Sequence, residues 1–261
     1  ELGANINTPD NDGATPTWSA AYQGHDSTIR TLAELGANIN TPDNNGETPM
    51  SIAVYNGHDS TIRTLAEFGA DVTPGANGNT NISTAAMEGH ASTIRTLAEF
   101  GANVNTVDFS WSGETPTYIA ASEGHDSTVR TLAELGADVN KSEIKGKTPT
   151  YIAAELGHDS IIRTLAEFGA NVNKANLYGT TPIFIAARNG NAETVKLLIK
   201  LGADIKHVDN NGKTIFDYAN PDMADTINRI LMEEKLKDVV KKKKKATNEM
   251  KIIDNLPLAQ A

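Results

Sequence analysis

Histidine is the residue type here best suited to metal or acid–base chemistry, and five of the six follow a glycine: His25, His58, His90, His125 and His158. A zinc site needs its imidazoles to converge within about 2 Å of one ion. These histidines instead recur one sequence period apart, which in a stack of helices means steps of about 8–10 Å. They cannot share an ion, so no metal site is expected, and each is read as a hydrogen-bonding group in a turn between two helices. His207 stands apart and receives no role. The triplet His25-Asp26-Ser27 contains the residue types of a hydrolytic triad. Neighbouring residues on a helix point in different directions, however, whereas a nucleophile, its base and an orienting group must meet in one pocket. Cysteine is absent, which excludes thiol nucleophiles, disulfides, Cys-ligated zinc and iron–sulfur centres. The 21 glycines form no phosphate-binding fingerprint between a strand and a helix. No catalytic residue and no cofactor is expected.

Composition and charge narrow the field further. The 261 residues are 39% hydrophobic, enough with the glycines for a globular chain, and no apolar run is long enough to span a membrane. The net charge of −10 is unevenly placed. Residues 227–261 hold nine basic and five acidic groups, leaving 14 against 28 in residues 1–226. A body this acidic repels nucleic acid, so no nucleic-acid partner is expected. Lys241 to Lys245 read first as solvated charge on a helix end, then as a nuclear-import signal or an attraction to an anionic surface. A cytoplasmic or nuclear location is the expectation.

The elements that position these residues come from a repeat. GHDSTIRTLAELGANIN at 24–40 returns as GHDSTVRTLAELGADVN at 124–140. Anchoring threonines stand at Thr15, Thr48, Thr80, Thr115, Thr148, Thr181 and Thr214, spaced by 33, 32, 35, 33, 33 and 33 residues. Each anchor suits a helix N-cap, and Pro49 after Thr48 suits the first helical turn. Gly57 fits the left-handed position that ends the short first helix. Asp59 then opens a second helix, with Arg63 one turn on as an expected i,i+4 pair of about 0.3 kcal/mol. Ile62, Leu65, Ala66 and Phe68 form its buried stripe, and Gly69 ends it. PDNNG at 42–46 reads as a tight turn. Two helices this short bury too little surface alone, so neighbouring units must stack.

The period, the Thr-Pro that opens most units, the Gly-His between helices and the GADVN-type endings resemble the ankyrin repeat family, from residue 1 to about 232. The resemblance implies an all-α, ankyrin-like solenoid of about six helix-turn-helix units plus a C-terminal capping unit, with projecting hairpin loops. Residues 1–13 read as the tail of a unit that begins upstream, 14–206 as the array, 207–245 as a capping repeat and helix, and 246–261 as a disordered tail. In the capping unit Ala224, Ile227 and Leu231 should face the array, while Asn228, Arg229, Glu233 and Glu234 face water. Two departures stand out. After Thr-Pro the family has Leu-His, where this chain reads Thr17-Trp18, Thr117-Tyr118 and Thr150-Tyr151. Second helices carry threonine and alanine, as at Thr31 and Ala33, where the family prefers larger aliphatics, so looser packing is expected. The third unit, one residue short and with Asn81 in place of proline, is the expected weak joint.

Such arrays, as the resemblance implies, bind proteins along a concave face of loop tips and first helices. The residues that vary between units while the framework stays fixed are the candidates. At loop tips and their edges these are Asp12, Asn45, Glu47, Lys145, Lys147 and Tyr178. At the ends of first helices they are Tyr22, Gln23, Tyr55, Met87, Glu88, Glu123 and Leu156. Phe109 and Trp111, in a connection with two extra residues, complete the set as a projecting aromatic contact. Tip charges run from Asp10, Asp12, Asp43 and Glu47 to Lys141, Lys145, Lys147 and Lys213, which predicts a partner of opposite grade. The expectation is a monomeric, non-catalytic module that binds another protein. The alternative is an ankyrin-like arm of a larger enzyme, effector or channel.

Overall fold

The computed structural model describes residues 5–75, 79–107 and 112–254. Six helix pairs follow one another: α1 (Pro16–Tyr22) and α2 (Asp26–Glu34), α3 (Pro49–Tyr55) and α4 (Asp59–Glu67), α5 (Asn81–Met87) and α6 (Ala91–Glu99), α7 (Pro116–Glu123) and α8 (Asp126–Glu134), α9 (Pro149–Leu156) and α10 (Asp159–Glu167), α11 (Pro182–Arg188) and α12 (Ala192–Lys200). A seventh, unequal pair closes the array, α13 (Ile215–Tyr218) and α14 (Pro221–Asp254). First helices pack on first helices and second on second, giving two layers without a regular strand among the described residues.

Five of the seven anchoring threonines cap as their type predicts, while the hydroxyls of Thr181 and Thr214 accept no bond from a helix N–H. Thr48 Oγ1 accepts from Ser51 N at 3.1 Å, and Thr115 and Thr148 accept from Tyr118 N and Tyr151 N. Apolar burial then runs along both layers: Ala53, Ala86, Ala120, Ala153 and Ala186 let the first helices approach closely, and Ile62, Leu65, Ile94, Leu97 and Leu132 seal the second layer.

Polar ties add to this shared core and cross from one unit to the next. His58 Nε2 lies 3.1 Å from the Tyr22 carbonyl, His90 Nε2 3.1 Å from that of Tyr55, and His125 Nε2 2.9 Å from that of Met87. These three turn histidines therefore reach back to the preceding unit instead of closing their own turn. Asn105, Asn140 and Asn173 form a second tie. The side-chain oxygen of each accepts from Asp138 N, Asn171 N and Asp204 N, and its amide donates to the carbonyls of Gly136, Gly169 and Gly202. Thr73 stands where this asparagine belongs in the third unit, so the joint expected to be weak lacks that tie.

The outer layer corrects one local expectation. Arg63 does not pair with Asp59; its guanidinium meets Glu99 of the next unit at 2.8 Å, and Arg30, Arg95 and Arg130 reach Glu67, Glu134 and Glu167 in the same way. Three of these guanidinium groups also lie over the ring that follows the glutamate, at Phe68, Phe100 and Phe168. A neighbouring unit supplies both a carboxylate and an aromatic face, more than a helical i,i+4 pair can give. Each exposed pair is worth only about 0–1 kcal/mol, so the row sets alignment more than stability. Threonines that replace aliphatics here serve as relays: Thr164 Oγ1 donates to Asp126 at 2.6 Å and accepts from Arg130 at 3.2 Å.

The closing unit is turned by about one helical position from its expected setting. Met223, Ile227 and Ile230 are the fully buried residues of α14, with Ala224 and Leu231 at the edge of the contact, while Asn228, Arg229 and Glu233 are exposed. Helix α14 also continues past residue 245 to Asp254, through the segment expected as a disordered tail. Residues 255–261 lie outside the described set.

Two stability predictions follow from this packing. The Thr150 hydroxyl is buried without a hydrogen-bond partner, whereas the equivalent residue of the next unit is Ile183. Thr150→Val should stabilise the chain by about 1 kcal/mol, seen as a higher urea midpoint. Gly89 adopts φ +76°, and a β-carbon there would sit 2.8 Å from the His125 ring; Gly36, at φ +86°, would meet nothing. Gly89→Ala should therefore cost more than Gly36→Ala in the same denaturation experiment. Equal losses would show that the His125 contact contributes nothing.

Candidate functional site

The loop between one second helix and the next first helix folds as a hairpin-type turn braced by one acceptor. Asp43 Oδ1 takes Asn45 N and Glu47 N, Asn176 Oδ1 takes Tyr178 N and Thr180 N, and Asp209 Oδ1 takes Asn211 N and Lys213 N. Adjacent tips are then linked, with Asn44 N donating to Asp12 O, Leu177 N to Lys145 O and Asn210 N to Tyr178 O. Among the described residues the linked tips thus form a ledge from Ser112 to Asn210 beside the first helices, with a separate linked pair at Asp12 and Asn44. Local sequence makes each turn, and the neighbour fixes its height.

This bracing sorts the acidic and basic tip residues. Asp10 and Asp43 are consumed inside their own turns, Asp10 Oδ1 accepting from Asp12 N and Ala14 N. Lys141 Nζ is tied to the Asn105 carbonyl at 3.0 Å. Asp12, Asn45 and Lys145 keep exposed side chains. Glu47 is half-buried, and that burial, with Asp43 beside it, raises its carboxyl above the ordinary range. Lys147 lies against the array, donating to Glu155 at 2.8 Å with its ammonium over the Tyr151 ring. The acidic-to-basic grade read from the tips is therefore narrower in space than in sequence.

The first-helix ends are more uniform. Tyr22, Tyr55, Met87, Leu156 and the tip residue Tyr178 are 41–60% exposed, large apolar groups left in water, and the tip residues Ile144 and Leu177 are exposed with them. Gln23 and Glu123 are exposed beside them, and Glu88 is half-buried. Tyr22 stacks on Trp18 at 5.6 Å, so the first of these rings is held in place. Phe109 and Trp111 lie outside the described residues.

At the C-terminal end, ledge and helices enclose a hollow lined by Lys147, Tyr151, Glu155, Tyr178, Phe184 and Arg188, with Tyr218 closing one side. The candidate set included Lys147 and Tyr178 but missed Tyr151, Phe184, Arg188 and Tyr218. One signal was available: Tyr22, Tyr55, Met87, Ser122, Glu155 and Arg188 occupy the same place in successive first helices. The hollow's far wall was not visible, because Tyr218 belongs to the irregular closing unit. Tyr218 donates from its hydroxyl to Asp209 Oδ2 at 2.6 Å.

Among the described residues no cluster of His, Asp and Glu could hold a metal ion, and no helix is long and apolar enough to cross a membrane. His207 bonds the Gly179 carbonyl at 2.8 Å and sits edge-on to Phe184, which gives it a structural place.

Comparison with known proteins agrees with this geometry. A family model described as ankyrin repeats (3 copies) matches residues 2–76, 72–143, 135–209 and 151–242. The chain is similar to the crystal structure of the human ASB11 ankyrin repeat domain, with a TM-score of 0.73 and 27% identity over 83% of this chain and 97% of that one. It is also similar to the ankyrin repeat domain of Bcl-3, described as a unique member of the IkappaB protein family, with a TM-score of 0.76 and 26% identity over 84% of this chain and 100% of that one. No curated protein matches.

The Asp209 brace gives a pH prediction. The Tyr218 hydroxyl and the backbone N–H groups of Lys213 and Asn211 hold its carboxyl below the ordinary value of 3.8. A depressed folded-state value means that the stabilisation is complete above the unfolded-state value and is lost as pH falls through the folded one. Urea midpoints should therefore drop below pH 3.8, and Asp209→Asn should start lower at neutral pH and show a shallower drop. An unchanged acid slope in that variant would remove Asp209 from the account.

Proposed function

The chain belongs to the ankyrin repeat family, and on that premise we propose that it is a non-catalytic module that binds another protein along the face of first helices and loop tips. Repeat domains of this family generally mediate protein–protein interaction. The observation that carries the reading to this face is the exposure of Tyr22, Tyr55 and Met87 at one repeated position, with Leu156 and the tip residue Tyr178 on the same side, all leaving large apolar surface in water. Partner interfaces draw most of their energy from such anchors, set on a surface that does not rearrange. The opposite layer is occupied with its own inter-unit pairs of arginine and glutamate, which compete with any incoming charge. Asp12 at one end and Lys145 at the other give the partner a direction, so binding should weaken as salt rises.

A photo-crosslinking residue tests the placement. Benzoylphenylalanine in place of Tyr22, Tyr55 or Tyr178 should give discrete protein adducts in the native cell extract, and at the exposed outer position Ser60 it should give none. Adducts formed at Ser60 but at none of the three tyrosines would overturn the reading.

A further inference from the structure

The hollow between the fifth, sixth and seventh units encloses about 290 Å³. Pockets for drug-sized ligands run from about 300 to 1,000 Å³, so this one sits at the lower limit, with room for one or two amino-acid side chains. Its floor is apolar, made by Phe184, 1% exposed, and Ile185. Phe184 is held edge-on by Tyr218 at 5.5 Å, which fixes one wall. The opposite wall is fixed by the Tyr151 hydroxyl, 3.3 Å from Thr180 Oγ1. These contacts make the walls rigid before anything binds, which lowers the ordering cost of binding.

The charged lining residues then select the ligand. There are three: Lys147, Glu155 and Arg188. Lys147 and Glu155 neutralise each other at 2.8 Å. Asp209, behind Tyr218, is saturated by that hydroxyl and two backbone N–H groups. Arg188, the exposed last residue of α11, has no carboxylate partner among the described residues. A guanidinium offers parallel N–H donors that match a carboxylate's two oxygens, a geometry that a lysine cannot reproduce. Tyr178, 60% exposed at the rim, adds an aromatic side that a ligand would cover.

We propose that this hollow is the anchor subsite for a partner segment in which a carboxylate side chain stands beside a large apolar one. The apolar group rests on Phe184 and Ile185 against Tyr178, and the carboxylate takes Arg188. This deepens the protein-binding reading of the same face and rests on it. It places the acidic part of the partner at the C-terminal end of the array, beside Lys145.

A random twelve-residue peptide library displayed on phage and selected against the full chain tests the assignment. Enriched peptides should carry Asp or Glu adjacent to Phe, Trp, Leu or Met. Resynthesised with a fluorophore, they should bind Arg188→Ala about tenfold or more weakly, and the same peptides with Asn or Gln for the acid should lose affinity for the native chain but little more for the variant. Tyr178→Ala should weaken both forms. Circular dichroism melts should show that both variants fold as the parent does, since both side chains are exposed. Selected peptides lacking the acidic–apolar pair, indifference to Arg188→Ala, or a library that yields no binder would each overturn the subsite. Adducts that still form at Tyr22 or Tyr55 in that event would leave the interaction face standing, so the two failures are distinguishable.

Discussion

A helix of seven to nine residues cannot keep itself folded in water, because its unpaired end groups and single apolar stripe are too large a share of the whole. Every other feature of this chain answers to that constraint. Three turn histidines reach back to the carbonyls that end the preceding first helices. The GADVN-type asparagines bridge to the backbone of the next unit in both directions. Arginines of the outer layer find their carboxylates one unit on. Stability in such a stack is a sum of unit and joint terms, and here the joints carry much of the specific hydrogen bonding.

The two layers use this arrangement differently. Outside, threonine at positions such as Thr131 and Thr164 gives up apolar contact for a relay of hydroxyl, guanidinium and carboxylate. The exchange is incomplete, since the hydroxyls of Thr61 and Thr128 are buried without a partner. Thr128 faces a unit in which Ala91 stands where other units have an aspartate such as Asp126. Inside, the first helices α3, α5, α7, α9 and α11 are almost wholly buried except at their C-terminal ends, so variation there without loss of packing is confined to those ends and to the loop tips. The positions free to differ follow from where the stack leaves room.

That separation also explains why the face can be both varied and rigid. Loop tips elsewhere are commonly mobile, but here the tips at Asp43, Asn176 and Asp209 are each braced internally by one acceptor and linked to a neighbouring tip. Side chains on this ledge inherit fixed positions from backbone bonds to which they do not contribute. The hollow near Arg188 is the place where two consecutive units and the closing unit each lend more than one residue.

The repeat, its helix limits and its capping threonines were legible in the sequence because each depends on residues close together in the chain: Thr48 before Pro49, Gly57 before His58, Gly69 after Phe68. Candidates at the first-helix ends, such as Tyr22, Tyr55 and Met87, were legible by column, since a fixed period places equal positions on one face. What the sequence could not assign was partnership across units. Arg63 and Asp59 are one helical turn apart, yet Arg63 lies against Glu99 because stacking brings a carboxylate and the Phe100 ring to it together. Asp43 and Asp12 look alike as tip charges, yet only the folded turn consumes one and leaves the other exposed. Tyr151, Phe184, Arg188 and Tyr218 meet only because units stack at a fixed rise and the closing unit turns its helix pair against the sixth. Local backbone preference thus determined the elements, and the neighbour-to-neighbour geometry of the stack decided which side chains share a pocket, a bond or the solvent.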